Sequence, residues 1–225
     1  IHMRPIYQIK VFTFSPIQEN TYILTNDKNE AIVIDPGCYG KLEEQQLEKY
    51  ILDKGLEVKL LLNTHCHLDH VFGNKFIADR WLLQPQIHPE ERQVLDYAPV
   101  AGLMWNLPFD HYNGPTGYLN EGDITGLEGG PLEVILAPGH SPGSICFYSR
   151  NDGFLIGGDV LFRGSVGRTD LPGGNFNILE KSIREKLYVL PDETIVYSGH
   201  GSPTRIGDEK RTNPFVSING SAPSE

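Results

Sequence analysis

Within residues 65–70 the chain sets three histidines, an aspartate and a thiol, directly after the apolar run at residues 58–62. That run, apolar apart from Lys59, predicts a strand covered on both faces. Its C-terminal end is where open α/β sheets present ligands. In an extended segment alternate side chains share a side, so His65, His67 and Asp69 reach one surface while Cys66 and Leu68 face away. His70 joins them if the chain turns there. Histidines four apart on a helix would mark a different zinc motif, and this spacing is not that. A set of separate core or surface histidines is the alternative, and the density of the segment argues against it.

The flanking sequence predicts alternating strands and helices. Residues 6–14, 21–25 and 31–35 are short β-branched and aromatic runs broken by Pro, Asn and Asp, as in successive strands. Residues 41–54 read as an amphipathic helix stopped by Gly55, and helices are expected over 71–81, 89–106 and 178–190. Strands are expected at 132–137, 144–148, 154–157 and 194–197, with a polar tail after Gly201. The two successive sets of elements are consistent with an α/β fold of two packed sheets flanked by helices.

Three more candidates follow apolar strands and stand beside glycine: His140 in PGHSPG, Asp159 in GGD and His200 in SGHG. Glycine lets the backbone turn sharply and pass close to a ligand, so each position can present its side chain at a strand end. Singly, each reads as well as a turn residue.

Composition narrows the function. A net charge of −10 over 225 residues offers no basic face to a phosphate backbone, so nucleic acid is excluded as a partner. No apolar run approaches the ~18 residues of a membrane span and no signal-peptide profile opens the chain, so the expectation is a cytoplasmic protein without a membrane partner. Residues 1–3 read as a cloning remnant ahead of, and including, an initiator Met3, which removes His2 from consideration. Cys38, Cys66 and Cys146 are too few and too irregular for a disulfide framework and are expected as buried apolar residues. His88 and His111 are expected to be structural.

Taken in order and spacing, THCHLDH at 64–70 with His140, Asp159 and His200 resembles the metal-binding pattern of the metallo-β-lactamase superfamily. The resemblance spans nearly the whole chain and implies the metallo-β-lactamase fold, an αββα sandwich of two packed mixed β-sheets flanked by helices. It implies that His65, His67 and His140 hold one metal and Asp69, His70 and His200 a second, with Asp159 bridging. Asp69 and Asp159, the carboxylates of the set, are the catalytic candidates. Asp35, in IDPG at 34–37, resembles the acid that orients a ligating histidine; capping its own turn is the other reading. Five imidazoles and two carboxylates suit two divalent ions, zinc first, with iron or manganese also accommodated. The implied nucleophile is a metal-bridging hydroxide.

Within that superfamily the chain is most similar to the short bacterial branch of the glyoxalase II (hydroxyacylglutathione hydrolase) group, through Gly73-Asn74, Gly158-Asp159, RGSVGRTD at 163–170 and EKRTNPF at 209–215. β-Lactamases of the common dizinc class usually place cysteine where Asp159 stands. The resemblance implies a small-molecule thioester substrate, with Arg168, Lys210 and Arg211 as candidate contacts for its carboxylates; solvated surface is the competing reading for all three. One domain over residues 4–225 is expected, without the C-terminal helical domain of longer glyoxalase II enzymes. A mononuclear iron persulfide dioxygenase or a lactonase of the same fold are the alternatives.

Overall fold

The computed structural model describes residues 4–219. The presumed cloning remnant at 1–3 and the end of the expected domain, 220–225, lie outside the described residues.

The elements are β1 (Gln8–Phe14), β2 (Glu19–Thr25), β3 (Glu30–Ile34), α1 (Lys41–Asp53), β4 (Glu57–Leu62), α2 (Leu68–Val71), α3 (Asn74–Trp81), β5 (Pro85–Ile87) and α4 (Arg92–Met104). They continue with β6 (Gly117–Tyr118), β7 (Ile124–Leu127), β8 (Gly130–Leu136), β9 (Ile145–Ser149), β10 (Phe154–Gly158), β11 (Leu161–Phe162), β12 (Ser165–Val166), α5 (Phe176–Ser182), β13 (Ile195–Ser198), β14 (Thr204–Arg205) and α6 (Ile206–Thr212). One six-stranded sheet runs β1-β2-β3-β4-β5-β6 and the other β14-β13-β10-β9-β8-β7. Both are mixed: β3, β4, β5 and β6 are parallel in the first, and β10 pairs parallel with β13 in the second.

The period-two pattern of the strands builds the four layers. Ile32 and Ile34 of β3 meet Phe147 of β9 and Ile156 of β10 between the sheets. Their neighbours Ala31 and Val33 point the other way, onto Leu47 and Ile51 of α1 and Ile77 of α3. In the second sheet Cys146, Tyr148 and Leu155 face Leu179 of α5 and Ile206 of α6. Each fully buried aliphatic side chain contributes about 1.5–3 kcal/mol, against about 1 kcal/mol for a typical hydrogen bond, so these apolar layers dominate the packing.

Strand and helix boundaries fall within about two residues of the expected ones for most elements. Three expectations are corrected. The helix expected over 71–81 is two pieces, and α2 begins inside the histidine segment, so Asp69 and His70 sit on a helical turn instead of a continuing extended run. Gly73 separates the pieces because its N–H bonds the Pro36 carbonyl and a side chain there would collide with Cys38. The helix expected at 178–190 starts earlier, capped by Asn175, and widens to a π turn over Ile183–Leu187. The polar tail instead returns as β14 and α6, anchored by Ile206 and Val216 in the core.

Candidate metal centre

The candidate residues all leave the C-terminal ends of strands. His65 and His67 follow β4, Asp69 and His70 ride on α2, and His140, Asp159 and His200 follow β8, β10 and β13. The sheets are tied together at that rim: Asn20 and Tyr22 of β2 donate to the Ser198 carbonyl at 3.0 and 2.6 Å, and Ile145 N–H bonds the Thr64 carbonyl at 2.9 Å. Gly199 is demanded by closeness, because a Cβ there would strike Asp159 Oδ1 and lie 2.7 Å from His70 Cε1.

Two donor groups result. Nitrogens of His65, His67 and His140 converge, with His140 Nε2 at 2.9 Å from His67 Nδ1 and 3.2 Å from His65 Nε2. Asp69, His70 and His200 form the second group; His200 Nε2 and His70 Nε2 lie 3.0 and 3.5 Å from Asp69 Oδ2. Asp159 stands between them. Its Oδ2 is 3.5 Å from His140 and 3.4 Å from His200, and its Oδ1 is 3.4 Å from His70.

These donors fit a metal ion. Tetrahedral zinc with nitrogen ligands at 2.0–2.1 Å sets ligand nitrogens about 3.3 Å apart, close to the spacing of the first group. Three imidazole nitrogens cannot all hydrogen-bond one another at such distances, because each contact needs one proton and one lone pair. In addition, His70 Nε2 and Asp159 Oδ1 are buried without a hydrogen-bond partner, which is costly unless another group satisfies them.

The outward nitrogens are held as metal-ligating histidines are usually held. Nδ1 of His140 meets the Arg168 carbonyl at 2.7 Å, and Nδ1 of His200 the Gln18 carbonyl at 3.1 Å. His70 Nδ1 meets Asp35 Oδ2 at 2.9 Å. Asp35 also accepts from Thr64 N–H at 2.7 Å and Thr64 Oγ at 2.6 Å, so it both orients a histidine and fastens the turn entering the motif. Its backbone φ of 51° is a left-handed conformation costing roughly 1–3 kcal/mol in a non-glycine residue, offset by those three bonds.

Protonation follows the same division. Burial, reinforced by neighbouring histidines, lowers His65 well below the usual range and brings His67 to about 3, leaving neutral lone pairs. Burial alone would lower His70 and His200, yet the carboxylates around them raise His70 well above its usual value and His200 to about 10. Burial would raise Asp159 and Asp69, but His70 and His200 hold both below the carboxylate range. His65 and His67 are thereby neutral and Asp69 and Asp159 ionised, the states that metal ligands require, whereas His70 and His200 hold protons that a bound metal would displace.

Two carboxylates that sequence reasoning missed support the loops. Glu91, in the turn before α4, accepts from Cys66 N–H at 2.8 Å, Ser141 Oγ at 2.7 Å and Gly143 N–H at 3.1 Å, joining the His65–His67 and His140 loops. Glu19 is fully buried beside Thr21, 3.8 Å from His70, and burial pushes its carboxyl well above the usual range. Neither has a local signal, since a glutamate 25 positions beyond Cys66 is indistinguishable from a surface residue in a charged stretch.

The substrate candidates are placed differently. Arg168 lines the cavity above the donors, but Asp170 occupies its fork at 2.7 and 2.8 Å. Lys210 pairs with Asp192, and Arg211 lines a separate cleft beside Arg163 and Arg205. His88 accepts from Glu90 N–H and His111 packs on Phe109, and neither belongs to the two donor groups. All three cysteines are buried and unpaired.

An αββα fold with two His/Asp groups sharing a carboxylate at the strand ends has the form of a binuclear metal protein. The family model for the metallo-beta-lactamase superfamily matches residues 15–200, and the chain belongs to that superfamily. It is 39% identical to "Probable metallo-hydrolase YqgX" of Bacillus subtilis, over 89% of this chain and 93% of that protein. It is 36% identical to the hydroxyacylglutathione hydrolase GloC of Haemophilus influenzae, over 92% and 97%. Among solved structures, it is similar to the B3 metallo-beta-lactamase BLEG-1 (TM-score 0.86, 34% identity, covering 95% of this chain and 100% of that one). It is also similar to TTHA1623 in a di-iron-bound form (TM-score 0.82, 36% identity, covering 91% and 98%). Among the described residues no helix is long and apolar enough to cross a membrane.

Proposed function

We propose that this chain is a binuclear metal-dependent hydrolase acting on thioesters, with His65, His67 and His140 holding one ion, Asp69, His70 and His200 the other, and Asp159 between them. The observation that carries the reading is Asp159, whose two oxygens lie within 3.5 Å of histidines from both groups. Zinc is the first choice for this donor set. Iron is supported by the di-iron form of TTHA1623, and manganese suits the same donors. Two bound divalent ions supply a water activated near neutral pH and a polarised carbonyl. Asp69, 3.0 Å from His200, is the proposed acceptor for a proton of the attacking water. The thioester specificity is supported by the similarity to GloC.

Metal analysis is expected to give close to two equivalents per chain after reconstitution with zinc, iron or manganese. A value that stays at one would favour the mononuclear dioxygenase alternative. S-lactoylglutathione hydrolysis in the absence of oxygen, with a β-lactam assayed alongside, tests the activity; an inert thioester beside a cleaved β-lactam would overturn the thioesterase reading.

Arg168 is proposed as the contact for a substrate's remote polar end, in competition with Asp170. Asp170, bonded to Arg168, has its carboxyl lowered to about 2. The pair therefore loses its charge only as the pH falls through about 2, so it does not titrate in assays between pH 5 and 9. Asp170→Asn is expected to lower KM for a carboxylate-bearing thioester by roughly two- to fivefold and leave a neutral one unchanged. An equal change in both would remove Arg168 from substrate binding.

A further inference from the structure

The donors open into a cavity of about 550 Å³, one wall of which is α4. Val94, Tyr97, Ala98, Ala101, Met104 and Trp105 line it, recurring at i, i+3, i+4, i+7, i+10 and i+11, which is one apolar face of a helix. Such faces normally turn to the core, and α4 does bury Leu95 and Ala98 there, with Val94 packed alongside, against Cys66 and Ile87. The cavity face runs on from that buried edge through Tyr97, Ala101, Met104 and Trp105. Tyr97, Met104 and Trp105 remain 43%, 71% and 49% exposed, in an apolar strip that shares the cavity with His67 and follows the helix for about 15 Å. Leu171 and Pro172 also line the cavity.

Its charges point the same way. Apart from the metal-type donors, Arg168 is the charged residue lining the cavity, and it is bonded to Asp170 while its guanidinium lies 5.7 Å from the Trp105 ring. Glutathione carries two carboxylates and an ammonium group, and would face one cation already paired. An apolar group gains from this wall without needing any partner.

We propose that the cavity face of α4 binds the acyl group of the substrate, and that the chain prefers thioesters of apolar acyl groups of about six to eight carbons over glutathione thioesters of small hydroxy acids. This rests on the hydrolase reading above. The carbonyl would sit at the donor groups and the acyl chain would extend along Ala98 and Ala101 toward Trp105, the thiol leaving on the open side.

The test uses zinc-loaded protein and two measurements. The first is hydrolysis of acetyl, butanoyl, hexanoyl and octanoyl thioesters of N-acetylcysteamine, an uncharged thiol, with S-lactoylglutathione in parallel. The second is calorimetric binding of the matching carboxylates. Each added methylene is expected to raise kcat/KM and carboxylate affinity by roughly two- to fourfold until the strip is covered, chiefly through KM. Ala101→Glu and, separately, Met104→Glu should cut the octanoyl-to-acetyl ratio at least tenfold with zinc content unchanged; Met104 is exposed, so that variant keeps the fold. Hydrolysis that is flat or falling with chain length, or a tenfold preference for S-lactoylglutathione over the octanoyl thioester, overturns the inference. If no thioester is cleaved while carboxylate affinity still rises with length and drops in both variants, the acyl groove stands and the thioesterase reading falls. Length-independent carboxylate binding with no cleavage removes both.

Discussion

Asp159→Ala is expected to bind one metal equivalent or fewer and to lose at least roughly a hundredfold in kcat on every thioester, whatever its acyl group. Changing residues that merely support metal ligands already costs about 10–100-fold, and Asp159 is proposed to touch both ions. Its oxygens lie 3.4 Å from His70 and His200 and 3.5 Å from His140, so the truncation uncouples both donor groups at once. It also removes a buried anion that holds His70 and His200 in their cationic forms before metal binds. Asp159→Asn, which keeps the shape and loses the charge, should fall between wild type and alanine in metal affinity. Elemental analysis with kcat on acetyl and octanoyl thioesters decides it: two retained equivalents with wild-type kcat would exclude Asp159 from the bridging position.

Glu91→Ala is expected to be the most destabilising single change near the site that removes no proposed ligand. The truncation leaves the N–H groups of Cys66 and Gly143 and the Ser141 hydroxyl without their buried acceptor. An unsatisfied buried group costs about 1–3 kcal/mol, and water entering the vacated space recovers part of that, for a net loss of about 3 kcal/mol. In a chain of this size that lowers Tm by about 6–12 °C. Both loops of the first metal group hang from this carboxylate, so metal affinity should fall about 10–100-fold as well. Glu91→Gln keeps one acceptor oxygen but presents an amide N–H₂ among donors, and should be intermediate. A Glu91→Ala protein that melts within 1 °C of wild type and retains two metal equivalents would show that the two loops are held independently of Glu91.

The cavity beside α4 could not be read from the sequence. Residues 89–106 were readable as a helix, and α4 lies there, but its apolar positions serve two faces. Leu95 and Val94 are adjacent in sequence and similar in character. Only docking of the helix beside the His65–His67 loop buries Leu95 in the core and leaves Val94 at the core's edge, where it also lines the cavity. Arg168 likewise reads as a free cation until the turn at 168–170 folds Asp170 back onto it.

By itself the sequence determined the chemistry and the layers: imidazoles and carboxylates at strand ends, and strands whose alternate residues must be buried on opposite faces. Those properties are local, carried by residue type and a period of two. The division of the donors around Asp159 and the orienting acid Asp35 were implied by the family resemblance and not by any periodicity of the chain. Tertiary structure alone decided that His70 is the histidine Asp35 reaches, that Glu91 joins two distant loops, and that Lys210 and Arg211 lie away from the cavity. Each of these depends on which strand ends lie side by side after two sheets pack, and contacts between segments 35, 50 or 75 residues apart leave no periodicity in a single chain to be read.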